Sequence, residues 1–494
     1  MKYLPLSWKS WPLLTGLVLS LLSHYLPTIL ALRPARDPYL ERQAAALRPE
    51  FQGDLDALSA APRYTINATV DPRTASLNGR LELRYTNTTG ASLPDLIFQL
   101  LPNARSIYGG GSLTVTAAQR DGLPIPFNLT QKGIVLHLPL DPPLDPGTAA
   151  TIQLDFNATL PRHCRQGYGI FSQLGTITSL AGWYPTLTLY QNGWQTPEIP
   201  RVGDAILADI GLFEVNLRIP ADYQLASTGT VLERRLEDGS AVWHIVSGPA
   251  RDFAVALSRQ FEHRQTVIDG VTLNYYTLPT GRAGLSAARA QEMIAEAYTA
   301  YTRRFGPYPA NELDVVDTAV TIGGYEFSGM IFVEYRQRLS SPGNYRYLLV
   351  HEIAHQWWYH LVGDNQITEP WLDEGLASYS AALYMEETYG KASGDGMLAA
   401  WKSSYGLRSP KQPPLNTPAT SFSNWTSYRT TVYSHSALFI DTLRKELGDE
   451  TFFSLLQTYL NRYRYRVATT NDFLQLAREI SGRDLDAVIQ PWFN

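Results

Sequence analysis

Two imidazoles four residues apart, with a glutamate separated from the second by eighteen residues, form the most chemically pointed feature of this 494-residue chain. His351-Glu352-Ile353-Ala354-His355 lies in a stretch whose pattern predicts a helix over about 344–361, entered after Pro342-Gly343 and closed by Gly363. At 3.6 residues per turn, positions i and i+4 share a face, so both rings can bind one Zn²⁺. Glu352 then stands beside the metal as a general base for an activated water. The H-E-x-x-H pattern alone also suits two histidines on a structural helix. Glu374, within Trp371-Leu372-Asp373-Glu374-Gly375, weighs against that reading. A helix, a turn and the start of a next helix, predicted over about 373–389, return its carboxylate to the metal and leave a fourth position open. Ser378, one turn beyond Glu374, is placed to hydrogen-bond a ligand. His360 and His435 read as ordinary imidazoles rather than ligands.

The elements that must hold these residues change character near Gly270. Before it, alternating runs at 80–85, 134–138, 152–156 and 213–217 predict antiparallel strands, turned at Gly109-Gly110-Gly111, Asp121-Gly122 and Asp238-Gly239. After it, Ala290, Met293, Ile294, Ala297, Tyr298 and Tyr301 follow helical spacing until Phe305-Gly306-Pro307. Further helices are predicted at about 430–447, 451–463 and 471–480. This divides the chain into a targeting segment (1–32), an Ala-rich stalk (33–62), a β-rich N-terminal domain (63–269), a mainly helical domain (270–445) and a short helical C-terminal segment (446–494).

Composition narrows the function classes. A net charge of -5 with no basic run gives no footprint for nucleic acid. The single cysteine, Cys164, excludes an intrachain disulfide and a multi-cysteine zinc site. Lys2 and Lys9 precede an uncharged stretch from Ser10 to Leu32. Its 13–22 part fits a secretory core, while 11–32 as a helix would reach roughly 33 Å, enough to span a bilayer. Either outcome, a cleaved signal or a membrane anchor, places the remainder outside the cytoplasm. The sequence specifies no oligomeric state.

HEIAHQWW followed at the stated spacing by WLDEGLA resembles the aminopeptidase N family of gluzincin zinc metallopeptidases. The resemblance implies an α+β multidomain fold: a β-rich domain, then a thermolysin-like, mainly helical catalytic domain binding one Zn²⁺ through His351, His355 and Glu374. Gly323-Gly324-Tyr325-Glu326-Phe327 stands where the family carries G-x-M-E-N. By that match Gly323, Gly324 and Glu326 bind substrate, Glu326 taking the free α-amine, while Tyr325 and Phe327 replace the usual Met and Asn. Thr431-Val432-Tyr433-Ser434-His435-Ser436-Ala437 matches the Tyr-x-Lys-Gly-Ala segment and makes Tyr433 the oxyanion donor. Trp183-Tyr184-Pro185 and Ser227-Thr228-Gly229 resemble the family's β-rich domain, without a recognisable substrate glutamate there. The chain leaves no room for the large C-terminal helical domain of longer members, which implies a more open cleft with fewer limits on substrate length. The implied activity is hydrolysis of N-terminal peptide bonds. A zinc endopeptidase and a catalytically silent surface-binding module are the competing readings.

Overall fold

The computed structural model describes residues 37–279, 284–408 and 412–494. The 1–32 targeting segment lies outside the described residues, among which no helix is long and apolar enough to cross a membrane. The chain divides into two compact units, Met1–Glu41 and Arg42–Asn494, and the second carries all the sheets.

The alternating runs do form strands. β1 (Arg63–Asp71) turns Tyr64, Ile66, Ala68 and Val70 inward, with less buried residues between them, as a sheet with one covered face requires. It pairs antiparallel with β2 (Ser76–Thr86), Ile66 opposite Leu81, inside an eight-stranded sheet. Its other neighbour, β3 (Gly211–Pro220), runs parallel to it, a pairing that strand patterning does not distinguish. Trp183 and Tyr184 are buried in the core under this sheet, and the Trp183 indole N–H donates to Phe253 O at 2.9 Å.

Two of the sequence divisions are displaced. Gly270 sits in the turn of a hairpin between β4 (Glu262–Ile268) and β5 (Val271–Thr277), where Asp269 and Gly270 both take positive φ. Asp-Gly is a hairpin signal, so the pattern change marks a turn inside a sheet rather than a domain border. The residues from Arg42 to Pro62, anticipated as a stalk, pack onto the body. Gln43 bonds Phe213 O and Gly248 N, both at 2.9 Å, and Ala46, Leu47 and Leu55 are buried.

A five-stranded sheet joins the β-rich part to the helices. It contains β4, β5, β6 (Glu312–Thr318), β7 (Gly324–Phe327) and β8 (Met330–Glu334), in the order β4-β5-β6-β8-β7. One face, with Val316, Phe327, Met330 and Phe332, joins the β-side core. The other, with Leu273, Leu313, Val315, Ile331 and Val333, packs into the helical core. Coverage on both faces explains the unbroken apolar run of β8.

Helix α1 (Ala287–Phe305) is capped by Ser286, which accepts from Arg289 N, and it buries the six apolar residues picked out by periodicity. Helix α2 (Pro342–Ala354) carries His351, has His355 as the residue that caps its C-terminal end, and is tied to the sheet through Tyr345, whose hydroxyl donates to Asp317 on β6 at 2.7 Å. Asp317 also accepts from Tyr275 and Thr277 and pairs with Arg338 at 2.9 Å, all fully buried. Removing one partner of such a pair typically costs about 3–5 kcal/mol, because the other charge is left stranded.

Candidate active site

α2 stops at Ala354, seven residues before its predicted end, and the reason is tertiary. Arg251 donates from Nε to Tyr359 O at 2.6 Å, and the Tyr359 hydroxyl donates to Asp252. Held from the β side in this way, Tyr359 takes φ 145° and the chain folds back instead of continuing helically. A Cβ on Gly363 would lie 2.2 Å from Arg251 Cζ, so that glycine makes room for the clamp. The reversal has a chemical consequence: Trp358 O comes within 2.9 Å of His355 Nδ1 and accepts its proton. Nε2 of His355 therefore keeps its lone pair for a metal.

Helix α3 (Trp371–Tyr389) brings Glu374 to the same point. Trp371 anchors its first turn against Phe439, Phe473 and Phe493, with ring centroids 5.7, 6.1 and 5.2 Å away, and its indole donates to Thr470 Oγ1 at 2.9 Å. The C-terminal helices thus set the position of the third acid. His351 Nε2 lies 3.0 Å from Glu374 Oε2, and His355 Nε2 lies 3.1 Å from His351 Nε2 and 3.5 Å from the same carboxylate oxygen. A tetrahedral Zn²⁺ with bonds of about 2.0–2.1 Å needs its ligand atoms roughly 3.3 Å apart. The spacing and the donor set, two imidazole nitrogens and a carboxylate, fit that ion. Ser378 Oγ is 3.5 Å from His351 Nδ1, at the limit of a hydrogen bond. His360 donates instead to Pro249 O at 2.9 Å and His435 packs at a tilt against Trp492, ring centroids 4.6 Å apart, both outside the ligand group.

Glu352 faces β7, the edge strand of its sheet. A Cβ on Gly324 would sit 2.2 Å from Glu352 Oε1, and one on Gly323, at φ 107°, 2.6 Å from Leu348. Both glycines line the cleft; a side chain at Gly324 would displace the glutamate, and one at Gly323 would press on Leu348. Tyr325 and Phe327 stack on each other at 5.2 Å in the buried core, so the two exceptional residues of this motif build the support beneath the cleft. Tyr433 arrives by a route that helical periodicity misses. The single helix predicted over 430–447 is a π-helix, Arg429–His435, followed by α4 (Ser436–Leu447). The wider turn, closed by Ser436 Oγ donating to Thr431 O at 3.0 Å, lets Tyr433 stack on His351 at 5.5 Å and donate to Glu374 Oε1.

Two residues at this site carried no sequence signal. Gln366 donates from one amide nitrogen to Glu326 Oε1 at 2.6 Å and to Asp373 Oδ2 at 2.9 Å, fixing both acids. Asp204 enters from the loop before β3, where Gly203, at φ 96°, lets Tyr428 approach closely. An isolated acid in a loop some 150 residues from the zinc helix has no motif to announce it.

Asp204, Glu326, Glu352, Asp373 and Glu374 are all buried. Burial, then mutual repulsion, pushes Asp204 and Glu326 well above the ordinary carboxylate range. Burial likewise lifts Glu352 to about 8 and Asp373 to about 7. Burial would raise Glu374 too, but its two imidazoles hold it below the usual range. So much desolvated acid in one place favours cationic occupants, a divalent ion at the triad and an ammonium beside Glu326.

Comparison with known proteins agrees with this geometry. Residues 289–492 match the Peptidase family M1 domain. Aminopeptidase M1-D of Oryza sativa subsp. japonica is 28% identical over 198 residues, 38% of this chain and 23% of that protein. The matched stretch therefore spans about a quarter of that relative. An M1 zinc metallopeptidase from Deinococcus radiodurans has the same fold, with TM-score 0.69 at 20% identity over 88% of this chain and 94% of that one. A mutant of the Deinococcus protein, solved with a Tyr-Ser-Ala substrate, aligns with TM-score 0.68 at 21% identity over the same shares of both chains.

Proposed function

We propose, from the premise that this chain belongs to the aminopeptidase N-like peptidase family M1, that it is a zinc-dependent aminopeptidase removing residues from the N-terminus of peptides. The observation that carries the reading is the convergence of His351, His355 and Glu374 at 3.0–3.5 Å, with the buried acid Glu352 beside them and the buried acids Glu326 and Asp204 lining the same cleft.

Zinc, when bound by the triad, supplies Lewis acidity toward the scissile carbonyl and acidifies the attacking water. Glu352, pushed up toward neutral pH by burial, takes that water's proton and returns it to the leaving amine. Tyr433 donates its phenolic proton as a hydrogen bond to the developing oxyanion. Glu326, fixed by Gln366, holds the substrate ammonium with Asp204 nearby, so the first peptide bond falls over the triad. Gly323 and Gly324, on the open edge of β7, leave the peptide backbone room to lie alongside. The Tyr-Ser-Ala tripeptide held by the Deinococcus metallopeptidase is a substrate of this kind and supports peptides as the class.

The zinc-loaded protein should release the first residue of a free peptide, spare the N-acetylated form, and lose turnover on chelation until zinc is restored. Equal cleavage of both forms moves the assignment to an endopeptidase. Bound zinc with no hydrolysis across a broad peptide panel leaves a silent binding module. For location, the uncharged stretch behind Lys2 and Lys9 supports export, as a secreted or membrane-anchored protein, and fractionation of cells making the full chain checks it.

A further inference from the structure

The cleft over the triad, about 370 Å³, is lined by five acids, Asp204, Glu326, Glu334, Glu352 and Glu374, and by one arginine or lysine, Arg429. Arg429 opens the π-helix that carries Tyr433 four residues later, and it is exposed. Among the described residues its guanidinium forms no hydrogen bond or ion pair, although acids line the same cleft. The arginines elsewhere in the helical part are commonly paired, as Arg289, Arg338 and Arg444 are. An unpaired guanidinium at the mouth of an acidic cleft is oriented toward something that the protein does not supply.

Its position along the cleft says what. Glu326 is surrounded by Asp204 and His355, and the Gln366 bridge ties it to Asp373, so the ammonium end lies on the His355 side. Arg429 lines the same cleft. Its charge acts on Tyr347, whose ring is 5.5 Å from that of His351 and whose hydroxyl is 3.4 Å from Ser378. Glu326 thus goes with His355, and Arg429 with Tyr347 beside His351. A peptide bound with its amine at Glu326 and its first carbonyl at Tyr433 therefore extends toward Arg429. At about 3.3–3.6 Å per extended residue, one or two residues beyond the scissile bond bring a terminal carboxylate roughly 3–7 Å past it, within the reach of an arginine side chain.

Resting on the aminopeptidase reading, we propose that Arg429 binds the free C-terminal carboxylate of dipeptides and tripeptides and makes short peptides the preferred substrates. The planar guanidinium fork matches a carboxylate in two-point contact, and the carboxylate would neutralise the guanidinium. This narrows the expectation of few limits on substrate length. An aspartate or glutamate side chain in the same place would present the same chemistry, and the test separates the two sources.

The measurement is kcat/KM of the zinc-loaded full chain on Ala-Ala-Ala, Ala-Ala-Ala-amide and Ala-Asp-Ala-amide. The free acid should exceed its amide by about tenfold, the scale of a charge-assisted hydrogen bond, with the difference in KM. Arg429→Gln should bring the ratio close to one, and Arg429→Glu should reverse it. A ratio of one in the unmodified protein, or a ratio that survives Arg429→Gln, overturns the proposal while leaving the peptidase reading intact. Ala-Asp-Ala-amide matching the free acid overturns it in favour of side-chain recognition. Absence of any peptide hydrolysis by the zinc-loaded chain overturns both readings together.

Discussion

The floor of the cleft and its rim are built on different terms. The floor comprises His351 and Glu352 on α2, His355 at its C-terminal cap and Glu374 on α3, and every member is positioned by contacts in the helical core or by a buried clamp: Tyr345 on Asp317, Trp371 among three phenylalanines, Arg251 and Asp252 on Tyr359. The rim draws Asp204 and Arg429 from separate segments, with Gln366 reaching it through its bond to Glu326; Arg429 is exposed, whereas Asp204 and Gln366 are buried. Rigid, redundant support suits groups whose geometry must hold through bond breaking. Recognition tolerates looser support, because an end group can be met over a wider range of positions. The difference implies that floor substitutions act on kcat and rim substitutions on KM.

The largest expected effect is at the floor. Glu352→Gln keeps the shape of the side chain and removes the base, so kcat should fall by about 10²–10⁴-fold with zinc content unchanged, measured by steady-state kinetics and metal analysis of one preparation. Retained turnover would transfer the proton-moving role to another group and dissolve the distinction drawn above. Gly324→Ala probes the same residue from the strand opposite it. The new Cβ would fall 2.2 Å from Glu352 Oε1, so the glutamate must shift and kcat should drop by about 10²-fold, the cost of misplacing a reacting group by about an ångström. A normal kcat in that variant would mean that Glu352 works from another position. Gln366→Leu, at the rim, frees Glu326 and Asp373 from their shared donor. KM for free peptides should rise by about tenfold with kcat nearly kept. A loss confined to kcat would instead place Gln366 with the floor.

Much of the floor was visible in one dimension. The i, i+4 spacing of His351 and His355 forces them onto one face wherever that helix goes, and the interval to Glu374 is long enough for a turn and a returning helix. The alternation in β1 and the apolar stripe of α1 were equally plain, since each element buries one side. The early end of α2 was not visible, because no glycine or proline lies between His355 and Val362 and the stop comes from Arg251 and Asp252, about a hundred residues away in sequence. The π-turn at Arg429–His435 was hidden for a similar reason: its pattern differs from an α-helix by one residue per turn, within the tolerance of any apolar stripe.

By itself the sequence determined which atoms are available to hold a metal and move a proton, because side-chain chemistry and helical repeat are local properties. It also determined the strand-rich first part and the helical second, since burial on one face leaves a periodic trace. Only the tertiary structure decided which nitrogen of His355 faces the triad, that Gly324 leaves room for Glu352, that Asp204 and Arg429 share one cleft with it, and that Gln366 bonds Glu326 there. Those properties depend on contacts between segments up to about two hundred residues apart, and the energy of such a contact resides in the pair, leaving no repeat or spacing in either segment alone.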